Sequence, residues 1–142
     1  MAGRSSKTKG KNGEYEARDL IMRWLAPVYV ELGHTPPVLK RNVEQVRGGG
    51  FDLVGIDWLA LEVKRQETLN LTSWWNQTLR QAGSHQLPVL MYRANRQPWR
   101  FRMKLRCLVG DPNGTWDYEL AVADLMDTEA CALIQAEARA RL

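Results

Sequence analysis

The chain has 142 residues, of which 44% are hydrophobic and 25% are charged, a balance typical of one soluble globular domain. No apolar run approaches the roughly 20 residues that a transmembrane helix requires, so the composition excludes a membrane protein. The first residues are basic and small, with no apolar segment that could act as a secretory signal, which predicts a cytoplasmic location. Cys107 and Cys131 have no metal-ligand spacing and are expected to be reduced thiols.

The charge is distributed unevenly along the chain. The formal net charge is +4. Residues 111–142 contain seven acids and two bases, a net of −5, so residues 1–110, with 18 bases and nine acids, carry +9. A basic body with an acidic C-terminal part suggests a polyanionic partner for the body.

Residues 1–12 have the composition of a flexible basic arm, and residues 13–142 are expected to form a single domain. Apolar residues follow helical spacing from Gly13 onward, and Pro27 is expected to end or kink that helix near residue 26. The predicted elements, in chain order, are a helix at 13–26, strands at 38–43, 51–56 and 59–64, a helix at 71–83, strands at 87–92, 99–107 and 116–122, and a last helix capped by Asp127 or Thr128. The order αβββαβββα predicts an α/β fold with a single mixed sheet flanked by helices.

The two strands at 51–56 and 59–64 are predicted to form a β-hairpin around Asp57. In that register Asp52 lies opposite Glu62, with β-carbons roughly 5 Å apart on one face. Two carboxylates so placed repel each other unless a cation lies between them, and a divalent ion with oxygen ligands fits the gap. Lys64 shares the face of Glu62 because side chains alternate along a strand.

Each of these residues also has a simpler interpretation. Glu62 and Lys64 could form an ordinary ion pair on an exposed strand face. Glu14 lies in the first turn of the predicted first helix, where an acid stabilises the helix dipole. Gln77 on the second helix could be a plain surface glutamine. The residues alone leave both interpretations open for Asp52, Glu62 and Lys64, and favour the simpler one for Glu14 and Gln77.

Taken together, these motifs resemble a known family of enzymes. The segment Gly48-Gly-Gly-Phe-Asp52-Leu followed by Leu61-Glu-Val-Lys64 is similar to the Asp…Glu-x-Lys signature of PD-(D/E)XK nucleases. Lys9-Gly-Lys-Asn-Gly-Glu14 resembles the opening of archaeal-type Holliday junction resolvases, and three later stretches resemble their phage relatives: Arg65–Leu71, Trp74-Trp-Asn-Gln77 and Leu87–Trp99. The resemblance covers about residues 7–105 and implies a restriction-endonuclease-like αβββαβ core, followed here by a C-terminal hairpin and helix.

The resemblance also implies a role for each matching residue. Asp52 and Glu62, with the backbone carbonyl of Val63, would bind Mg²⁺, for which Mn²⁺ could substitute, and Glu14 would support the metal directly or through water. Lys64 would orient or help deprotonate the attacking water, and Gln77 would match a helix glutamine of such nucleases. Glu16 follows Glu14 closely and could compete for its role.

The expected substrate is branched DNA, above all the four-way junction, and cutting it symmetrically calls for a C2 homodimer. Other DNA structures, or a non-catalytic DNA-binding role, remain alternatives. The basic and polar residues expected to contact DNA are Lys7, Lys9, Lys11, Arg41, Gln45, Arg47, Arg65, Arg93 and Arg96.

Overall fold

The order of helices and strands agrees with the sequence prediction. The computed structural model describes residues 6–42, 52–104 and 122–142. Within these ranges the elements are helix α1 (Ser6–Glu31), strands β1 (Lys40–Arg41), β2 (Leu53–Val54) and β3 (Leu59–Arg65), helix α2 (Leu71–Gln81), strands β4 (Leu87–Arg93), β5 (Arg100–Lys104) and β6 (Val122–Leu125), and helix α3 (Asp127–Arg141). The predicted α/β class is confirmed.

A mixed sheet of four strands forms the centre of the fold, in the order β3-β4-β5-β6. β3 and β4 run parallel and are joined through α2, whereas β4–β5 and β5–β6 pair antiparallel. β1 and β2 form a separate antiparallel pair, with Lys40 opposite Val54 and Arg41 opposite Leu53.

The predicted hairpin between 51–56 and 59–64 is wrong, since in the described residues the ladder partner of β2 is β1 and not β3. The backbone geometry at Gly55 accounts for the difference. Its φ of 130° is a backbone conformation that residues with a side chain rarely adopt. A Cβ added there would also collide with the Val38 carbonyl oxygen. The chain therefore comes into close backbone contact with the segment before β1, which turns β2 toward β1.

The four-stranded sheet is covered by helices on both faces. Alternate β3 residues Leu59, Leu61 and Val63 belong to the main hydrophobic core, which also contains Ile21 of α1 and Ile134 of α3. On the other face, Trp74 and Trp75 of α2 pack with Leu90 and Tyr92 of β4. Glu62 and Lys64 alternate with the core residues and so lie on the face that α2 covers.

Helix α1 is longer than predicted at both ends, because it begins at Ser6 and continues through Pro27 to Glu31. A proline inside a helix costs about 3 kcal/mol. Val28 and Tyr29, which follow it, are both buried in the core, and each buried side chain of this size returns about 1.5–3 kcal/mol. Burial therefore outweighs the local penalty. The helix ends before Gly33, whose N–H donates to the Val30 carbonyl, while the N–H of His34 donates to the Tyr29 carbonyl.

The C-terminal elements differ in their bounds. β6 spans Val122–Leu125, while residues 116–121 of the predicted last strand and the predicted turn at 111–114 lie outside the described residues. The N-cap of α3 is Met126, not Asp127 or Thr128. Asp127 and Glu129 instead lie in the first turn, where acids complement the helix dipole. In the described ranges, no helix has the length and apolar character needed to cross a membrane.

Candidate active site

Asp52 and Glu62 meet at the open edge of β3. Both carboxylates are buried, with Asp52 6% and Glu62 0% exposed. Asp52 Oδ2 accepts a hydrogen bond of 2.9 Å from the backbone N–H of Val63, so its side chain takes the place that a neighbouring strand's carbonyl would fill. The two acids lie together, as predicted. The hydrogen bond between Asp52 and the Val63 backbone brings them together, and not the register of a hairpin.

The Glu62 carboxylate is held from one side only. Its Oε1 accepts a 3.4 Å hydrogen bond from Gln77 Nε2 and lies 3.5 Å from Lys64 Nζ. Its Oε2 is buried and accepts no hydrogen bond from any described residue. Burial and then the nearby Asp52 charge raise the pKa of Glu62 from 4.5 to about 9, against the opposite effect of Lys64.

The backbone of Val63 adds a further oxygen at this edge. Just before β3 the Trp58 carbonyl accepts a hydrogen bond from the Leu87 N–H, and just after β3 the Gln66 N–H donates to the Arg93 carbonyl. Even-numbered residues of this stretch therefore direct their backbone groups toward β4. Odd-numbered residues direct both N–H and C=O to the opposite edge. Because the Val63 N–H meets Asp52 there, its carbonyl points to the same edge. Val63 therefore has its side chain in the core and its backbone beside the two acids.

These groups fit a hard divalent ion, although no three His, Cys, Asp or Glu side chains of the described ranges cluster as a metal site. Two carboxylates and one carbonyl give only oxygen ligands, which suits Mg²⁺ or Mn²⁺ better than zinc. Mg²⁺ commonly keeps several waters and binds one or two carboxylates, so it does not require a third acid. The buried Glu62 Oε2, without a hydrogen-bond donor, offers a place for such a ligand bond.

Glu14 lies beside this pair but is bound to another residue. It forms an ion pair and a hydrogen bond with Arg41, whose guanidinium lies 5.7 Å from the centre of the Tyr15 ring. Burial raises the pKa of Glu14, and the Asp52 charge adds to this, while Arg41 and Lys64 lower it. Both Asp52 and Lys64 are therefore close enough to act on Glu14, which places Glu14 at the margin of the site.

Glu16 is directed elsewhere. Positions 14 and 16 differ by about 200° around a helix, so their side chains leave α1 on different sides. Glu16 binds Arg65 Nη1 at 3.0 Å and Arg93 Nη2 at 3.1 Å. The Arg93 guanidinium also lies 5.2 Å from the centre of the Trp99 ring. One carboxylate thus holds together two arginines that are expected to contact DNA. Glu16 lies 49 positions before Arg65 and 77 positions before Arg93, so no local pattern reveals this link.

The other predicted DNA-binding residues are placed less completely. The backbone of Lys7, Lys9 and Lys11 lies in α1, but their side chains lie outside the described part of the chain, as do Gln45 and Arg47 entirely. Arg96 is exposed in the turn between β4 and β5 and has a φ of 62°.

A polar group farther across the same sheet face was not predicted. Arg102 binds Asp124 through two hydrogen bonds of 2.9 and 3.0 Å, and the Tyr92 hydroxyl donates to the same carboxylate at 2.8 Å. Burial opposes ionisation of Asp124, but these donors outweigh it and lower its pKa. The alternation of residues 99–107 was the available signal, since it placed Arg102 on the polar face of its strand.

Comparison with known proteins agrees with the chemistry of this site. The model of a family described as "Phage putative PDDEXK endonuclease" matches residues 5–125. Among solved structures, Hjc of Archaeoglobus fulgidus, a Holliday junction resolvase from an archaeal hyperthermophile, is similar at 16% identity and a TM-score of 0.37, covering 76% of this chain and 85% of that one. No curated protein matches the sequence. The family model spans most of the chain, and the predicted resemblance is confirmed: the protein belongs to this phage family of PD-(D/E)XK endonucleases.

Proposed function

We propose that the protein is a Mg²⁺-dependent DNA endonuclease that cuts four-way junctions. One observation carries the nuclease part of this proposal. Glu62 is fully buried beside Asp52, and Lys64 lies 3.5 Å from it on the same strand face. Burying two acids together is costly unless a cation or a proton compensates their charge. A structural ion pair needs only one acid and one base, so it leaves the second carboxylate unexplained.

Each residue of the site then has a distinct task. Asp52, Glu62 and the Val63 carbonyl hold the ion, and Gln77 fixes the orientation of Glu62 through its 3.4 Å hydrogen bond. A bound divalent ion makes water a better nucleophile at neutral pH and offsets the charge that builds up on the phosphate. The Lys64 ammonium orients the attacking water toward phosphorus. The water oxygen forms a new P–O bond as the bond to the 3′-oxygen breaks. The water gives one proton to solvent, and the leaving 3′-oxygen takes one proton from solvent, so the reaction consumes one water in all.

Without a metal ion, the charge of the two buried acids is balanced in another way. The proton that a pKa of about 9 keeps on Glu62, together with Lys64, balances the two buried acids. Glu62 would have to lose that proton to bind a divalent ion, so metal affinity should increase with pH. Glu14 would support the site from its margin, and Arg41, its ion-pair partner, is proposed to contact a DNA phosphate.

The choice of substrate rests on the motif resemblance and on symmetry. A four-way junction has two equivalent strands to be cut, so we propose a C2 homodimer with one site per subunit. The residues proposed to contact the DNA backbone are Arg65, Arg93, Arg96, Lys7, Lys9, Lys11, Gln45 and Arg47. A phage-encoded enzyme of this kind acts in the cytoplasm of its bacterial host.

The decisive experiment compares a four-way junction with a linear duplex of the same sequence, in Mg²⁺, Mn²⁺ or chelator. We expect metal-dependent cuts placed symmetrically about the branch point and much slower cutting of the duplex. Equal rates on both substrates would leave an endonuclease but remove the junction specificity. DNA binding without cleavage in either metal would favour a non-catalytic DNA-binding protein.

A further inference from the structure

A pocket lies near the active site on the same side of the sheet. It has a volume of about 210 Å³ and is bounded by the loop before α2 and by the β4–β5 connection. Leu69, Tyr92 and Pro98 give it apolar walls, whereas Arg93, Gln97 and Arg100 give it polar ones. No described residue that lines it is acidic.

Strand register fixes where this pocket lies relative to the catalytic residues. Lys64 is the partner of Tyr92 in the β3–β4 ladder, and Tyr92 is the partner of Arg100 in the β4–β5 ladder. Partnered residues point to the same face, so Lys64, Tyr92 and Arg100 form one row. Two strand spacings separate Lys64 from Arg100, about 10 Å between Cα atoms. Successive phosphates of one strand lie farther apart than their axial rise of about 3.4 Å, so this span, lengthened by the reach of the two side chains, corresponds to about two or three nucleotides.

Arg100 is the group in the pocket that can bind an anion. Arg93, which also lines it, is already paired with Glu16 at 3.1 Å. Asp124, the acid whose pKa Arg100 influences, is already bound by Arg102 and Tyr92. The Arg100 side chain is exposed and forms no hydrogen bond or ion pair with any residue of the ranges 6–42, 52–104 and 122–142. Among these residues, its guanidinium therefore lines the pocket without an ion-pair partner.

The outer wall of the pocket is held firmly in place. The Gln97 N–H bonds the Ala94 carbonyl at 3.2 Å and closes the β4–β5 turn. Asn95 Nδ2 then donates to Glu67 Oε1 at 2.8 Å, which ties this turn to the loop after β3. That loop begins one residue beyond Lys64, after Arg65 ends β3, so a hydrogen bond links the pocket wall to the strand that carries Lys64.

We propose that this pocket binds a nucleotide of the cut strand two or three positions from the cleaved bond, with its phosphate on Arg100 and its sugar and base against Leu69 and Pro98. The inference rests on the proposed function and adds a specific subsite to it. The pocket combines apolar walls with one guanidinium that has no ion-pair partner among the described residues. A nucleotide matches it, because a nucleotide combines an anion with an apolar ring face. Such a subsite fixes the strand in register so that one particular phosphate reaches Lys64.

The test uses the whole protein and DNA with single neutral linkages. Cut positions are mapped first, and then one methylphosphonate is placed at each phosphate within five nucleotides of the cut. Binding is measured in chelator by fluorescence anisotropy. We expect one neutral linkage, two or three nucleotides from the cut, to weaken wild-type binding about tenfold, as for one charge-assisted contact.

The variant Arg100→Gln identifies the contact. It should bind all-phosphate DNA about tenfold more weakly, and it should be insensitive to the neutral linkage that affects the wild type. Its slope of log K against log salt should decrease in magnitude by about 0.9, the value for one phosphate of a duplex. Arg100→Lys keeps the charge and should preserve most of the slope. Since Arg100 is exposed, thermal unfolding should not change.

Arg139→Gln is the matched control, because it removes the same charge from a residue paired with Glu31 at the far end of α1. Glu31 lies 15 residues from Glu16, about 22 Å along the helix. If Arg100→Gln binds DNA with the affinity and the salt slope of the wild type and still cleaves it, the subsite proposal is overturned and the nuclease proposal stands. The same is true if neutral linkages weaken Arg100→Gln and the wild type alike. A wild type that neither binds nor cuts DNA would overturn both.

Discussion

Asp52 accepts a hydrogen bond from the Val63 amide at 2.9 Å, and this one contact brings an acid from the β1–β2 pair to the edge of the four-stranded sheet. The bond fixes Asp52 beside Glu62 and occupies a backbone donor that an edge strand otherwise leaves to solvent. A residue proposed as a metal ligand therefore also has a structural role, which its substitutions must take into account.

Substitution of either acid should separate binding from chemistry. Glu62→Gln and Asp52→Asn keep the side-chain shape but remove a charged ligand, so we expect cleavage in Mg²⁺ to decrease by about 10²–10³-fold or more. DNA affinity in chelator should be retained or should increase, because a negative charge near the phosphates has been removed. Single-turnover cleavage and anisotropy measure the two quantities. Normal cutting by either variant would show that the metal assignment is wrong.

The raised pKa of Glu62 predicts how the stability of the metal-free protein depends on pH. Its pKa is about 9 in the fold and 4.5 ordinarily, so between these values the native state binds more protons than the unfolded state. The free energy of unfolding should therefore decrease as pH increases from 5 to 9. Thermal unfolding in chelator at several pH values checks this, with Glu62→Gln as control. The variant should lose this part of the slope; an unchanged slope would assign the effect to other groups.

Lys64 offers a test of catalysis against structure. Its side chain is 21% exposed and lies 3.5 Å from Glu62, a pairing that contributes little to stability when partly solvated. We expect Lys64→Ala to reduce the cleavage rate by about 10²-fold or more, with KM nearly unchanged, because orienting the water matters only in the chemical step. The midpoint of thermal unfolding should change by only a few degrees. A large loss of stability with cleavage retained would instead favour an ordinary ion pair.

Two glycines with positive φ provide a matched pair of stability variants. Gly33 has a φ of 80° and no described atom within 4 Å of an added Cβ, so Gly33→Ala should cost about 1 kcal/mol. Gly55 has a φ of 130°, and an added Cβ would meet the Val38 carbonyl oxygen. Gly55→Ala should therefore cost more and should also weaken metal binding, since it displaces the strand that follows Asp52. Denaturant unfolding and metal titration would test this; equal effects of the two variants would contradict it.

Arg96 occupies the third position of the β4–β5 turn with a φ of 62°, where glycine or asparagine is the usual residue. Arg96→Gly should leave the protein as stable or more stable by up to about 1 kcal/mol. If Arg96 contacts a phosphate, the same variant should bind DNA more weakly and with a smaller salt dependence. Thermal unfolding and anisotropy at several salt concentrations would test this pair of effects. Unchanged DNA binding would mean that the arginine has no part in it.

Local patterns in the sequence predicted the element order and the shared face of Glu62 and Lys64, because strand alternation is a property of neighbouring residues. They also suggested that Asp52 meets Glu62, but through a hairpin that does not form. A two-residue strand such as β2 carries too little pattern to identify its partner. The continuation of α1 past Pro27 depends on tertiary burial of Val28 and Tyr29, which overrides local preference.

Long-range pairs were the part that the sequence could not provide. Glu16 was an open alternative to Glu14, and only the fold shows that it joins Arg65 to Arg93. Tyr92, Arg102 and Asp124 likewise meet across three strands, through a register that the predicted boundaries did not fix.

The β1–β2 pair is short: it has two registered positions, extended by one hydrogen bond of 2.9 Å from the Asn42 N–H to the Asp52 carbonyl. Short peripheral pairs of this kind open locally far more easily than a central sheet. One such fluctuation would separate Asp52 from Glu62 while the other four strands stay assembled. Catalytic competence can therefore be lost under milder conditions than the global fold, and amide hydrogen exchange at Leu53 and Val54 should slow when a divalent ion bridges the two parts.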